Sequence, residues 1–124
     1  MTPDEFWEHE FGNTQYARDF AGRPIMKKAF KNGSIYEWDL DHILPLKLIP
    51  TEKSDNINNW QIVHVETNRE KSHHNPFHIG NKRYQLKKVQ NLFDEDKVAP
   101  YPYQKNGKQY CVIIMENINE KKIV

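Results

Sequence analysis

The chain has little cysteine: Cys111 stands alone among 124 residues. An internal disulfide is therefore excluded, and so is any zinc site built from several cysteines. The expected setting is a reducing cytoplasm. No stretch approaches the roughly 18 consecutive apolar residues of a membrane helix, so no membrane partner is expected. Met1-Thr2-Pro3-Asp4-Glu5 is acidic and no apolar segment follows it, which argues against a secretory signal. Charge of one sign is not in excess either, with 18 Lys and Arg against 17 Asp and Glu. Repeats, low-complexity tracts and linkers are absent, so the length reads as one domain over residues 1–124. Hydrophobic residues make up only 37% and imply a modest core, partly offset by 12% aromatics, each of which buries a large area.

What is present begins with a helix signal. Thr2 suits the cap, Pro3 the first helical position, and Glu5 completes a capping box. The helix is expected to reach Glu10 or Phe11 and stop near Gly12-Asn13. A second short helix is expected from Thr14 to Phe20, ended by Gly22, giving an N-terminal helical segment over 3–22. Asn32-Gly33, Gly80-Asn81 and Asn106-Gly107 each sit between aromatic and aliphatic runs. Such pairs are hairpin signals and predict hairpins over 27–42, 76–87 and 101–115. Tyr110 to Met115 has little polar alternation and reads as a strand buried on both faces. Pro45 and Pro50 bracket an irregular stretch running to Asn56. Asn59 to Val65 reads as a strand, and Glu66 to His73 as a helix ended by Asn75-Pro76.

Charge is unevenly spread. Residues 21–31 hold Arg23, Lys27, Lys28 and Lys31 with no acid. Residues 66–88 hold Arg69, Lys71, Lys82, Arg83, Lys87 and Lys88 against Glu66 and Glu70. Two basic stretches thus flank the centre of the chain, and clustered cations favour a polyanion. His73, His74 and His78 fall at a helix end and read as a solvated loop, and Trp38 and Trp60 as core.

Between these stretches lie Trp38-Asp39-Leu40-Asp41-His42-Ile43-Leu44-Pro45, then Asn59-Trp60-Gln61, then Asn68-Arg69-Glu70-Lys71. Cleaving a phosphodiester needs a proton acceptor and positive charge on the phosphate. His42 can be the acceptor, because imidazole has an ordinary pKa of about 6.5. Asp41 offers a hard anionic oxygen and Asn68 a hard neutral one, which suit Mg²⁺ or Mn²⁺. In a regular strand Asp41 and His42 point to opposite faces. Both serve one site only if the chain bends near Pro45 and Asn68 arrives from a helix across the strand ends.

This ordered set resembles the HNH endonuclease family over residues 36–73. The resemblance implies an α+β fold with a ββα-metal core over 34–75, flanked by the N-terminal helical segment and by C-terminal hairpins over 76–115. It implies a catalytic pair in which His42 is the general base and Asn59 braces the long loop. It further implies one divalent metal, Mg²⁺ or Mn²⁺, held by Asp41 and Asn68, with Lys71 near phosphate. Arg69, Lys82 and Arg83 join Lys71 as the expected substrate-binding residues. Many members carry two Cys-x-x-Cys pairs on a structural zinc; here the second pair falls on His64 and Thr67, so no structural zinc is expected. The usual Gly-Gly after the Pro is replaced by Leu46-Lys47-Leu48-Ile49-Pro50. The expected activity is hydrolysis of DNA, rather than RNA, with low sequence specificity. The alternatives are a catalytically silent DNA-binding module, and a toxin or effector nuclease neutralised by an inhibitor protein.

Overall fold

The structure is a computed structural model that describes residues 1–45 and 56–115. Helix α1 spans Pro3–Phe11 and starts as the sequence dictates. Thr2 accepts the Glu5 N–H, and Glu5 accepts the Thr2 N–H at 2.9 Å, so two orphan donors are satisfied reciprocally. Gly12, at φ 72°, ends the helix. Phe6 and Trp7 are buried and dock it.

Residues 14–22 do not form the expected second helix. Strand β1 (Tyr16–Arg18) pairs antiparallel with β2 (Pro24–Met26). Asp19 causes the difference: its Oδ1 accepts from the Ala21 and Arg23 N–H groups at 3.0 and 2.9 Å. A short polar side chain that bonds its own backbone offers a turn in place of a helix. Gly22, at φ 90°, takes the left-handed position that this turn requires.

The hairpin expected over 27–42 is also absent. Lys27–Ala29 make one 3₁₀ turn, and Lys31 and Gly33 take φ of 48° and 78° in a wider loop. Strand β3 (Trp38–His42) instead pairs antiparallel with β4 (Trp60–His64), from Trp38 opposite His64 to His42 opposite Trp60. A turn signal acts locally, whereas fully burying a side chain such as Trp38 is worth about 3 kcal/mol. The irregular stretch expected at 46–55 lies outside the described residues.

Helix α2 (Val65–Lys71) follows β4 without a break. His64 caps it: Nδ1 accepts the Glu66 N–H at 3.0 Å, while Nε2 donates to the Ile35 carbonyl at 2.8 Å. Strands β5 (Phe77–Ile79) and β6 (Lys82–Lys88) form the expected hairpin at Gly80-Asn81. Strand β7 (Tyr110–Met115) pairs with β6, so the hairpin expected over 101–115 does not form. Pro100 and Pro102 lack the N–H a ladder needs, and the chain turns tightly, with Tyr103 N–H on the Tyr101 carbonyl at 2.7 Å. Cys111, Val112 and Ile113 are all buried, as expected of a strand covered on both faces. Residues 97–99 run along the free edge of β7, where Ala99 N–H bonds the Val112 carbonyl at 2.8 Å.

Among the described residues, two α-helices and seven strands in three antiparallel sheets make an α+β fold. The β3–β4 pair is its shared wall. Val63 joins a cluster with Phe20, Ile43, Phe77, Tyr84 and Tyr103. Trp38 and Ile62 join another with Phe6, Trp7 and Ile25. No described helix is long and apolar enough to cross a membrane.

Candidate metal and phosphate site

The strand alternation that buries β3 on both sides also separates the candidate residues. Asp41 and Gln61 lie opposite each other and bond across the strands, Gln61 Nε2 to Asp41 Oδ2 at 2.9 Å. Tyr103 donates its hydroxyl to Gln61 Oε1 at 2.6 Å, which fixes the amide so that its NH₂ faces Asp41. Lys71, on the last turn of α2, reaches the same carboxylate, with Nζ 3.1 Å from Oδ2 and 3.5 Å from Oδ1. The ammonium also donates to the His42 carbonyl at 3.0 Å. The pair is interior: the Lys71 side chain is 0% exposed and that of Asp41 8%. Burial pushes the Asp41 carboxyl above its ordinary pKa, against the pull of Lys71 and Gln61.

This corrects the role expected of Lys71. A fully buried ammonium cannot meet a substrate phosphate from solvent. It serves instead as the counter-charge of Asp41, because an unpaired carboxylate in that position costs several kcal/mol.

His42 ends β3, and its ring packs on that of Trp60 with centroids 4.7 Å apart. Leu40, Ile62 and Trp60 share that side of the sheet with Phe6 of α1. The Asp41 carboxylate and the His42 imidazole thus leave the strand on opposite faces. Asn59 closes the 3₁₀ turn Ile57–Asn59 at the entry to β4. Its Oδ1 accepts the Leu44 N–H at 2.8 Å, its Nδ2 donates to the Leu44 carbonyl at 2.9 Å, and its own carbonyl accepts the Ile43 N–H at 2.6 Å. The chain leaving β3 is therefore tied to the chain entering β4.

Asn68 sits three residues before Lys71, on the same stripe of α2. Asn68 is half-buried. Arg23 orients the helix from the side, donating to Thr67 Oγ1 at 3.0 Å and to Glu70 at 2.7 Å. Arg69 is exposed and pairs with Glu66 at 2.9 Å. Lys82 and Arg83 lie on β6, opposite Ile79 and His78. Lys82 is exposed and Arg83 half-buried. Much of the first basic stretch is already engaged, with Lys27 on Glu8 at 2.8 Å and Arg23 on α2.

Among the described residues no three His, Cys, Asp or Glu side chains gather where a metal could sit. An oxygen cradle does exist, however: Asp41 Oδ1, Asp41 Oδ2 and the His42 carbonyl surround the Lys71 ammonium. Gln61 lies in the Asn59-Trp60-Gln61 run and Arg23 in the first basic stretch, but their roles, and that of Tyr103, depend on partners dozens of residues away that no local pattern marks. No protein-family model, curated protein or solved structure matches the chain.

Proposed function

We propose that the chain is a metal-dependent nuclease of the HNH type, with β3, β4 and α2 as a ββα-metal core. The observation that supports this reading is the order β3, β4, α2, with Asp41 and His42 at the end of β3, Asn59 tying that end to β4, and Asn68 on α2. Asp41 and Asn68 are the residues that would hold one divalent metal, Mg²⁺ or Mn²⁺. Bound there, the metal supplies positive charge to the scissile phosphate and the departing oxygen. His42 takes the proton from the attacking water. Asn59 holds the strand end that carries His42. Arg69 and Lys82 offer exposed charge to the phosphate backbone, which favours binding without base readout. The proposed substrate is DNA, cut with little sequence preference.

A second reading is a silent nucleic-acid-binding relative. It is favoured by the position of His42 against Trp60, away from Asp41. One experiment separates the two: incubation of supercoiled plasmid, linear and single-stranded DNA, and RNA, with Mg²⁺ or Mn²⁺. Metal-dependent nicking that disappears in His42→Ala, with the fold intact by circular dichroism, supports the nuclease. Nicking unchanged in His42→Ala removes His42 as the base. DNA retention without cleavage in any metal supports the silent module.

A further inference from the structure

We infer that the outer face of the β5–β6–β7 sheet is a binding surface for single-stranded DNA, with Phe93 as its stacking platform. This surface fixes the form of substrate for the proposed nuclease, and only the choice of DNA over RNA rests on that reading. Residues 71–93 hold no Asp or Glu, yet hold Lys71, Lys82, Arg83, Lys87 and Lys88 together with His73, His74 and His78. Lys71 is buried on Asp41, and Lys87 is paired with Asp96. Among the described residues Lys82, Arg83 and Lys88 pair with no acid. Asp94 and Glu95 follow Phe93 at once and end the acid-free stretch. A polyanion is the partner such a stretch complements.

Strand alternation divides β6. Tyr84 and Leu86 face the core, while Arg83, Gln85 and Lys87 face outward, successive ones about 7 Å apart. His78 of β5 lies opposite Arg83. His78 and Gln85 are exposed, and the Arg83 Nε–H is buried without a partner. The face thus presents an imidazole, an amide and a guanidinium, planar groups that stack on unpaired bases or bond their edges. Strand β5 packs on α2, so a nucleic acid strand lying on this face leads toward the residues of the proposed site.

Phe93 stands at the Lys87 end. It is 65% exposed, and Lys87 Nζ lies 4.3 Å from its ring centroid. Its backbone is held in a turn: Phe93 N–H donates to Asp96 Oδ2 at 2.8 Å, and Asp96 N–H to the Phe93 carbonyl at 3.1 Å. Asp96 in turn accepts from Lys87 on the sheet. A ring presented on a fixed turn gives up little freedom when a base stacks on it. A duplex keeps its base faces inside the stack, whereas a single strand offers both a base face and a phosphate. Charge therefore selects the polyanion, and the exposed ring selects its single-stranded form.

The test is fluorescence anisotropy with a labelled oligothymidine and a labelled duplex, in EDTA so that neither metal nor cleavage intervenes. Wild type is expected to prefer the single strand by about fivefold or more. Phe93→Ala and Gln85→Glu change exposed residues, and circular dichroism is expected to show an intact fold. Phe93→Ala is expected to weaken single-strand binding by about fivefold or more and to leave duplex binding unchanged. Gln85→Glu places a negative charge amid the face and is expected to weaken single-strand binding, with the loss fading at high salt. Lys82→Gln with Lys88→Gln is expected to lower the slope of log affinity against log salt by about 0.7 per cation removed. Equal affinity for duplex and single strand, or unchanged single-strand affinity in Phe93→Ala, overturns the inference. Binding measured without metal is independent of cleavage, so loss of nicking in the plasmid assay sinks the nuclease and not this surface.

Discussion

The buried Asp41–Lys71 pair sets how every mutation at this site must be read. With side chains 8% and 0% exposed, neither charge is relieved by solvent when its partner is removed. Breaking such a pair from one side costs about 3–5 kcal/mol, whereas removing both charges is often nearly neutral. Asp41→Asn leaves the Lys71 ammonium buried with neutral acceptors, so a loss of about 3 kcal/mol or more is expected. Lys71→Met leaves Asp41 with only the Gln61 bond, and a similar loss is expected near neutral pH. The double variant should fall within about 1 kcal/mol of wild type, since Met fills the channel of the lysine stem. The two single losses would then exceed the double loss by several kcal/mol. The pH dependence of Lys71→Met has a definite sign. Burial already raises the Asp41 carboxyl pKa, and without Lys71 it rises further. A carboxyl raised in the folded state stabilises below its unfolded pKa of about 4 and loses that contribution as pH climbs through the folded value. Lys71→Met should therefore approach wild type at about pH 4.5 and fall furthest behind at about pH 8. Urea denaturation at both pH values measures all four proteins. Additive single losses, or a coupling below about 0.5 kcal/mol, would show that the pair is not the closed unit described here.

Three further outcomes follow from the same geometry. Asn59→Ala strands both the Leu44 N–H and the Leu44 carbonyl in the interior; at about 1–3 kcal/mol for each stranded group, chemical denaturation should show a loss of about 2 kcal/mol or more. His64→Ala removes the cap of α2 and the tie to Ile35, and should cost about 1–2 kcal/mol, with His64→Asn recovering part of it because Asn also caps; equal stability of the Ala and Asn variants would refute the capping role. Cys111 is buried, and its thiol pKa is pushed up to about 11 by that burial, so a thiol-labelling reagent at pH 8 should react only after denaturant is added.

Much of the site's chemistry was legible in the chain, and little of its three-dimensional arrangement was. The capping box of α1, the Gly80-Asn81 hairpin, the covered strand β7 and the short helix after Val63 are each decided within a few residues, by caps, turn chemistry and periodicity. Where a local signal competed with a distant one, the distant one prevailed. Asp19 sets the turn between β1 and β2 where a helix was expected, and it also accepts the His64 N–H from β4 at 3.0 Å. Trp38 pairs with β4 along its strand, and the chain before Asn32-Gly33 meets it only through a parallel bridge at Phe30 in place of a hairpin.

The sequence by itself determined the donor types: a carboxylate and an imidazole side by side on a strand, an amide before the next strand, another amide one turn from a lysine. It also determined that Asp41 and His42 part at the strand, since the period of two follows from backbone geometry alone. Only the tertiary structure decided what each residue faces. Lys71, a cation that reads from the chain as a phosphate contact, is folded under the sheet and bound to Asp41. Arg23 is spent on holding α2, and Tyr103 reaches across to orient Gln61. A charge in sequence carries its sign wherever it lies, but its role depends on burial and on its partner, and both arise from contacts between residues dozens of positions apart.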